Sequence, residues 1–341
     1  MNILFLTRFY NPHIGGVETH VERVSERLIN RGYKVTVITT KFRKDLPSQE
    51  NLNRVSVKRF FQPKVKYVGL LYTWLWLIKN IGLIKKSDIV HCHDVFIWYL
   101  PFKFLLPRKK VFTTFHGWEG VYPIGQKNIL LKKMALRFSD GNIIMGEYLE
   151  KHYGIKGDVV SYGAVDLPKK FLKKKKRLIV YLGRLDDDTG LTVFLKTFPK
   201  LRGFQVEFCG DGPLRGECEK YGYVHGFIDP KDFLTKATFC LAGGYLSTLQ
   251  ALANKCVTFV AYNNPLRHDA FGLAPFSQWI TLSNSSKEIS EKIKYYSREA
   301  NETQIMLNKG YDWVKRESWK NLVRSYLKIW RLGFPKKLYR K

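Results

Sequence analysis

Five short stretches place glycine, histidine or arginine where an apolar run ends. Gly15-Gly16-Val17 comes after NILFLT, His116-Gly117 after VFTTF and Gly183-Arg184 after RLIVYL. Gly210-Asp211-Gly212-Pro213 closes FQVEFC, and Gly243-Gly244 closes ATFCLA. A strand, a glycine turn and a helix start bring backbone N–H groups and a positive dipole end to one point, which suits a phosphate. An arginine at such a point clamps phosphate oxygens. Each stretch also has a plainer reading: a tight turn, a satisfied core histidine, or a surface salt bridge of Arg184 with Asp186 to Asp188. The Gly210 stretch approaches G-x-G-x-x-G, but Gly216 falls one residue late and no acidic residue stands at the distance a dinucleotide ribose requires. His91, His93 and Asp94 read HCHD, and a strand puts both histidines on one face. No third and fourth ligand is evident in the sequence, so no metal is expected.

The elements that must hold these residues alternate. MNILFL reads as a buried first strand, and a helix from about Val17 to Arg31 shows one apolar face of Val17, Val21, Val24, Leu28 and Ile29. Gly32 ends it, and YKVTVITT, SDIVHCHD, KKVFTTFHG and DGNIIMG follow as strands. After FLKKKKR the rhythm restarts with RLIVYLG, a helix near Leu191–Leu201, FQVEFCG and the run into Gly243. This is the pattern of two Rossmann-like, doubly wound parallel sheets facing across a cleft, with functional residues at the carboxyl ends of strands. The expected division is 1–166, a basic linker 167–177, a second domain 178–310, and a C-terminal helix 311–341 that returns to the first domain.

Composition agrees with a folded two-domain chain of 341 residues. The five cysteines are scattered without a C-x-x-C pair, which excludes zinc knuckles and redox motifs and points to reduced thiols in a cytosol. Net charge is +29, spread over both halves. A densely negative partner follows, either an anionic membrane surface or nucleic acid. Helix-turn-helix, RNA-recognition and zinc motifs do not appear, and the basic residues gather on no single element, so nucleic acid is not the expected partner. Residues 64–86, KVKYVGLLYTWLWLIKNIGLIKK, are too short and too basic at both ends to span a bilayer, yet leucine and tryptophan flanked by lysine suit a helix in its interface. Residues 95–110 carry a second such patch. Two core helices of the first domain are the alternative.

The order of the motifs adds what none gives singly. GGVETHVERVSERLINRGYKVTVIT, DIVHCHD, TTFHG, SYGAVD, VYLGRLDDDTG, FCGDGPLRGE and VHGFIDPKDFLTKATFCLAGGYLSTLQALANK run through nearly the whole chain. Together they resemble the family 4 glycosyltransferases of the GT-B fold. The resemblance implies retaining transfer of a sugar from a nucleotide-sugar donor, with no bound metal or other cofactor. It puts the donor mainly in the second domain and the acceptor in the first, on the side of His91 and His93. His116 would stabilise the developing oxocarbenium ion, and Arg184 would neutralise the leaving diphosphate. Gly15, Gly16, Gly210, Asp211, Gly212, Gly243 and Gly244 would form the turns that approach the donor.

Three donor-side positions depart from the family pattern. Its two glutamates, with seven residues between them, align to Ala242 and Gln250, and its lysine five residues after the arginine aligns to Thr189. Losing a charge-assisted phosphate contact costs about 1.5–3 kcal/mol. Lys255 or Arg267 could compensate for the missing lysine, although the sequence places neither at the donor. The implied activity is transfer to a lipid-linked or surface-glycan acceptor at the cytoplasmic face of the cell membrane. The alternatives are a GT-B protein of weak or no activity acting as a membrane-associated partner, and a nucleic-acid-binding protein.

Overall fold

The computed structural model describes residues 1–117 and 120–332. They form two compact units. The first takes in the residues up to the 120 region, Pro123–Ser161 and the helix Trp319–Leu332; the second runs from Tyr162 to Ser318 together with Gly120–Tyr122.

In the first unit, strands β1 (Asn2–Thr7), β2 (Lys34–Thr40), β3 (Gln49–Leu52), β4 (Val55–Phe60), β5 (Ile89–His93), β6 (Val111–Phe115), β7 (Gly141–Met145) and β8 (Val159–Ser161) make one sheet. Its order is β3-β4-β2-β1-β5-β6-β7-β8, and only the β3–β4 pair is antiparallel. β5, β6 and β7 are buried at every residue, as a sheet covered on both faces requires. The chain winds from β1 outward to β2 on one side, and β5 pairs with β1 on the other, so the switch point lies between β1 and β5.

The second unit holds β9 (Lys175–Leu182), β10 (Gln205–Cys209), β11 (Tyr223–Val224), β12 (Ala237–Ala242), β13 (Val257–Ala261) and β14 (Ile280–Ser283). All pairs are parallel, in the order β11-β10-β9-β12-β13-β14, with the switch point between β9 and β12. One core packs Ile179, Tyr181, Phe194, Phe208, Phe239 and Phe259 together. All five cysteines are free and buried.

Several boundaries differ from those read in the sequence. β9 begins at Lys175, inside the expected linker, and Lys174 Nζ is already tied to the carbonyls of Leu234 and Asn254 at 2.8 and 2.7 Å. The basic run is therefore partly built into the second unit, where its lysine satisfies two helix-end carbonyls. The expected helix Leu191–Leu201 is a helix at Leu191–Leu195 and a 3-10 turn at Phe198–Lys200, because Pro199 supplies no N–H to continue it. The expected final helix is two: Ala300–Val314 belongs to the second unit, where Trp313 meets Phe276 and Trp279, and Trp319–Leu332 belongs to the first. Residues 333–341 of that expectation lie outside the described residues.

Residues 64–86 fold as helices Lys66–Lys79 and Ile81–Lys86. Thr73 and Leu77 are buried, whereas Tyr67, Val68, Leu71, Tyr72, Leu75 and Ile78 are 41–71% exposed. The second patch is mostly core: the helix Phe96–Leu105 buries Phe96, Trp98, Tyr99 and Phe102 and exposes only Phe104 and Leu105 among its large apolar residues. Following a central strand, this helix must cover the sheet, and its aromatics fill that layer. No helix among the described residues is long and apolar enough to cross a membrane.

Candidate functional site

Each unit carries a group of candidate functional side chains at its own switch point. In the first unit a cleft of about 440 Å³ opens at the ends of β1 and β5 and is lined by Thr7, Glu18, His93, Asp94, Gly117 and Lys132, among others. The helix Gly16–Ile29 starts beside it with Gly15 as its extended N-cap and no side-chain cap. A Cβ built on Gly16 would meet nothing within 4 Å, so this helix start is open to a ligand.

His116 follows β6. Its amide donates to both oxygens of Asp94 at 3.1 Å, and Lys132 Nζ lies 3.6 Å from that carboxylate while donating to the Gly117 carbonyl at 2.8 Å. Burial raises the Asp94 carboxyl pKa, against the pull of Lys132. Burial, helped by Lys132, pushes the half-buried His116 imidazole down to about 3. His20, His91 and His93 are held well below the usual imidazole value, again chiefly by burial. All four rings are therefore neutral at pH 7.

Their hydrogen bonds form a chain whose direction is fixed at the Trp330 end. The Trp330 indole can only donate, and it donates to His91 Nδ1 at 3.0 Å. His91 must then carry its hydrogen on Nε2, which faces Thr114 Oγ1 at 2.7 Å. Thr114 Oγ1 is hydrogen-bonded to Tyr326 Oη at 2.9 Å, and Tyr326 Oη to His20 Nε2 at 2.7 Å; a Thr114 hydroxyl that gives its hydrogen to Tyr326 leaves Tyr326 free to donate to His20. His20 packs edge-on against His116, with ring centres 4.6 Å apart. His93 Nδ1 and His116 Nε2 are 2.9 Å apart, and His93 Nε2 is buried with no partner. Burying a bare lone pair costs less than burying a bare N–H, so His93 donates and His116 keeps an Nδ1–H for a ligand.

His20, His93 and His116 offer nitrogens that all lie within 4.8 Å of one another, a grouping that could hold a metal ion. His20 Nε2 is already hydrogen-bonded to Tyr326, and the facing nitrogens of His93 and His116 bond to each other.

In the second unit the group gathers where β9, β10 and β12 end. Gly210 is required there: a Cβ on it would stand 1.8 Å from the Gly183 carbonyl oxygen. Gly190 is required twice over, by a φ of +74° and by the Ala261 oxygen 2.5 Å from its Cβ position. Gly244 is extended at the N-cap of the helix Tyr245–Ala253, and a Cβ on it would meet nothing within 4 Å. Its amide donates to Ser247 Oγ at 2.8 Å.

Arg184 is 57% exposed and pairs with Asp188 at 2.6 Å, the surface bridge that was the plainer reading of this stretch. Thr189 is buried, with its hydroxyl spent on Tyr181 Oη at 2.8 Å and the Asp186 carbonyl at 2.5 Å. Ala242 is fully buried at the end of β12, and Gln250 is half-buried within its helix. Asp211 Oδ1 accepts from the Gly212 amide at 2.8 Å and Oδ2 from Arg215 at 3.1 Å, so this carboxylate shapes the turn.

The structure thus brings His93 and His116 together at one group, and Gly183, Arg184, Thr189, Gly210, Gly243 and Gly244 at the other. His91 is wholly buried with both ring nitrogens engaged, standing behind His93. Sequence reasoning missed His20, Lys132 and Tyr326 as site residues. Each lies within an amphipathic helix, where a polar residue facing inward is not distinguished by spacing. It named Arg267, with Lys255, as a cation that could compensate for the missing lysine, but had no signal that places it at the donor side.

Two doubly wound sheets with open glycine turns at their switch points are the architecture of the GT-B glycosyltransferases. A sucrose-phosphate synthase from Thermosynechococcus elongatus superposes with a TM-score of 0.75 at 15% identity, covering 97% of this chain and 98% of that one. HepE from Anabaena, solved with UDP and glucose, gives 0.73 at 12% identity over 96% and 98%. At these identities the likeness is one of fold. Residues 14–166 match the model of Glycosyltransferase Family 4. That match covers just under half of the chain, and the likeness that spans nearly all of it is to the GT-B fold. Among curated proteins it is 24% identical over 242 residues to the GPI3 subunit of phosphatidylinositol N-acetylglucosaminyltransferase of Saccharomyces cerevisiae, covering 62% of this chain and 53% of that protein. It is 31% identical over 102 residues to a subunit of the Homo sapiens phosphatidylinositol N-acetylglucosaminyltransferase, covering 28% and 20%. The chain therefore matches only about half, or less, of these relatives' length.

Proposed function

We propose that the protein transfers a sugar from a nucleotide-sugar donor to a lipid-linked or surface-glycan acceptor, with retention, while bound to the cytoplasmic face of a membrane. The observation that carries this reading is the helix Lys66–Lys79, which exposes six large apolar side chains on one unit while lysines flank it. Exposed apolar surface of this extent, rimmed by basic residues, fits an anionic bilayer interface. The curated relatives are subunits of phosphatidylinositol N-acetylglucosaminyltransferases, which supports a lipid acceptor.

In this reading the first unit supplies the acceptor cleft and the neutral His116, whose Nδ1–H can donate to a sugar or acceptor oxygen. The second unit holds the nucleotide diphosphate at its glycine turns, and Arg184 exchanges Asp188 for the leaving phosphate. Side-chain cations and helix starts then do what a metal would otherwise do, so the reaction requires none. The test is incubation of the protein with UDP-, GDP-, ADP-, CDP- and dTDP-sugars and a membrane lipid extract, followed by mass spectrometry of the lipids. A new glycolipid formed from one nucleotide family, unaffected by a chelator, is the expected result. Absence of any product alongside intact vesicle binding favours the non-catalytic partner. That second reading rests on the Thr189 hydroxyl, which is consumed inside its turn.

A further inference from the structure

Arg267 is the third residue of the helix Pro265–Gly272, whose start is fixed by Pro265 and by Asn264 Oδ1 accepting from the Arg267 amide at 2.8 Å. Its side chain turns into the second unit and is only 5% exposed. Nε donates to the Ala261 carbonyl at 2.7 Å, and Nη2 to the carbonyls of Thr189 at 2.5 Å and Gly243 at 3.2 Å. The guanidinium lies over the Phe271 ring, 5.0 Å from its centre. These contacts satisfy its geometry but not its charge. Among the described residues no carboxylate oxygen lies within ion-pair distance of it, and Nη1 makes no hydrogen bond.

A buried cation without a counter-charge is costly and is ordinarily paired. Arg267 nonetheless stays charged at neutral pH: burial lowers its pKa to about 10, with Arg184 adding to that and Tyr181 and Asp188 opposing. Its position singles out the missing partner. Thr189 ends the turn that follows β9, and Gly243 follows β12, so the guanidinium is fastened to both sides of the switch point where open parallel sheets take their ligands. The exposed Arg184, whose charge acts on Arg267, is already paired with Asp188, whereas Arg267 has no such partner.

We propose that Arg267 is the anion-holding cation of the donor site, supplying the charge that position 189 lacks, and that its ligand is the diphosphate of the nucleotide sugar. This rests on the transferase reading above. Three backbone carbonyls pre-orient the guanidinium, so little side-chain freedom is lost when the phosphate binds.

The experiment measures inorganic pyrophosphate and the five nucleoside diphosphates binding to the full chain and to Arg267→Gln, by calorimetry, with melting curves to establish folding. The expected result is that Arg267→Gln weakens both pyrophosphate and the preferred nucleotide by roughly tenfold or more, the loss of one charge-assisted contact. A folded variant that binds both as the wild type does overturns the role of Arg267 and leaves the transferase reading intact. Pyrophosphate binding that depends on Arg267, with no nucleotide bound, sustains the anion site and overturns the nucleotide-sugar reading. A wild-type protein that binds neither overturns both. If Arg267→Gln does not fold, hydrogen exchange of the wild type with pyrophosphate decides. Protection at residues 183–190, 243–248 and 264–268 supports the proposal, and no protection there overturns it.

Discussion

His116 and Arg184 stand in different electrostatic settings, and that difference sets what their substitution does. His116 is a neutral ring whose nitrogen is fixed by His93, so truncating it removes an oriented donor and leaves His93 Nδ1–H unpaired in a buried place. Arg184 is exposed and bound to Asp188, so truncating it leaves the fold nearly untouched. We expect His116→Ala and Arg184→Ala each to lower transfer by at least about tenfold, with Arg184→Ala melting within about 2 °C of wild type. Loss of less than that in both, measured as initial rates, removes these two residues from the chemistry. The neutral histidines also fix a pH dependence. His116, with a folded pKa near 3, takes up its proton on unfolding at any pH between that value and the usual 6.5. His20, His91 and His93 are shifted in the same direction. Stability is thus full above about pH 6.5 and falls below it, by up to about 1.4 kcal/mol per pH unit for each ring. Melting curves from pH 7.5 to 4.5 check this, and a melting temperature that rises on acidification contradicts it.

At the scale of elements, the helix Lys66–Lys79 and the helix Pro265–Gly272 make opposite predictions. The first keeps Leu71 and Leu75 exposed, so charging them does not open the core. Leu71→Glu with Leu75→Glu is expected to preserve melting and to abolish flotation with anionic vesicles, since about 2 kcal/mol or more of apolar insertion is lost per leucine. Retained flotation means that another surface binds the bilayer. The second helix depends on its cap. Asn264→Ala removes the acceptor of the Arg267 amide and is expected to cost about 1 kcal/mol of stability. If Arg267 holds the diphosphate, the same change also weakens pyrophosphate binding, because the cap fixes where the guanidinium begins.

For the whole molecule, the charge of +29 makes any association with an anion salt-sensitive at first contact. Binding to anionic vesicles is nevertheless expected to survive moderate salt through the apolar helix, while retention on DNA collapses along a steep salt slope. Vesicle and DNA binding that fall together with salt restore the nucleic-acid alternative.

The sequence by itself marked the candidate positions for chemistry. Strand ends are marked by local signals, an apolar run followed by Gly15-Gly16, His116, Gly183-Arg184, Gly210 or Gly243-Gly244, and such signals need no partner from elsewhere in the chain. The order of those stretches also carried the resemblance to the family 4 glycosyltransferases and the doubly wound fold. What only the tertiary structure decided are the contacts between distant residues. Tyr326 reaches His20 across 306 positions, and Arg267 reaches Thr189 across 78. Strand order, not spacing, sets such distances: β12 and β13 bring Gly243 and Ala261 beside a turn that follows β9. The same reason explains the stretches that looked alike. Residues 64–86 and 95–110 are both aromatic and basic, yet only the second follows a central strand directly and is consumed as its cover.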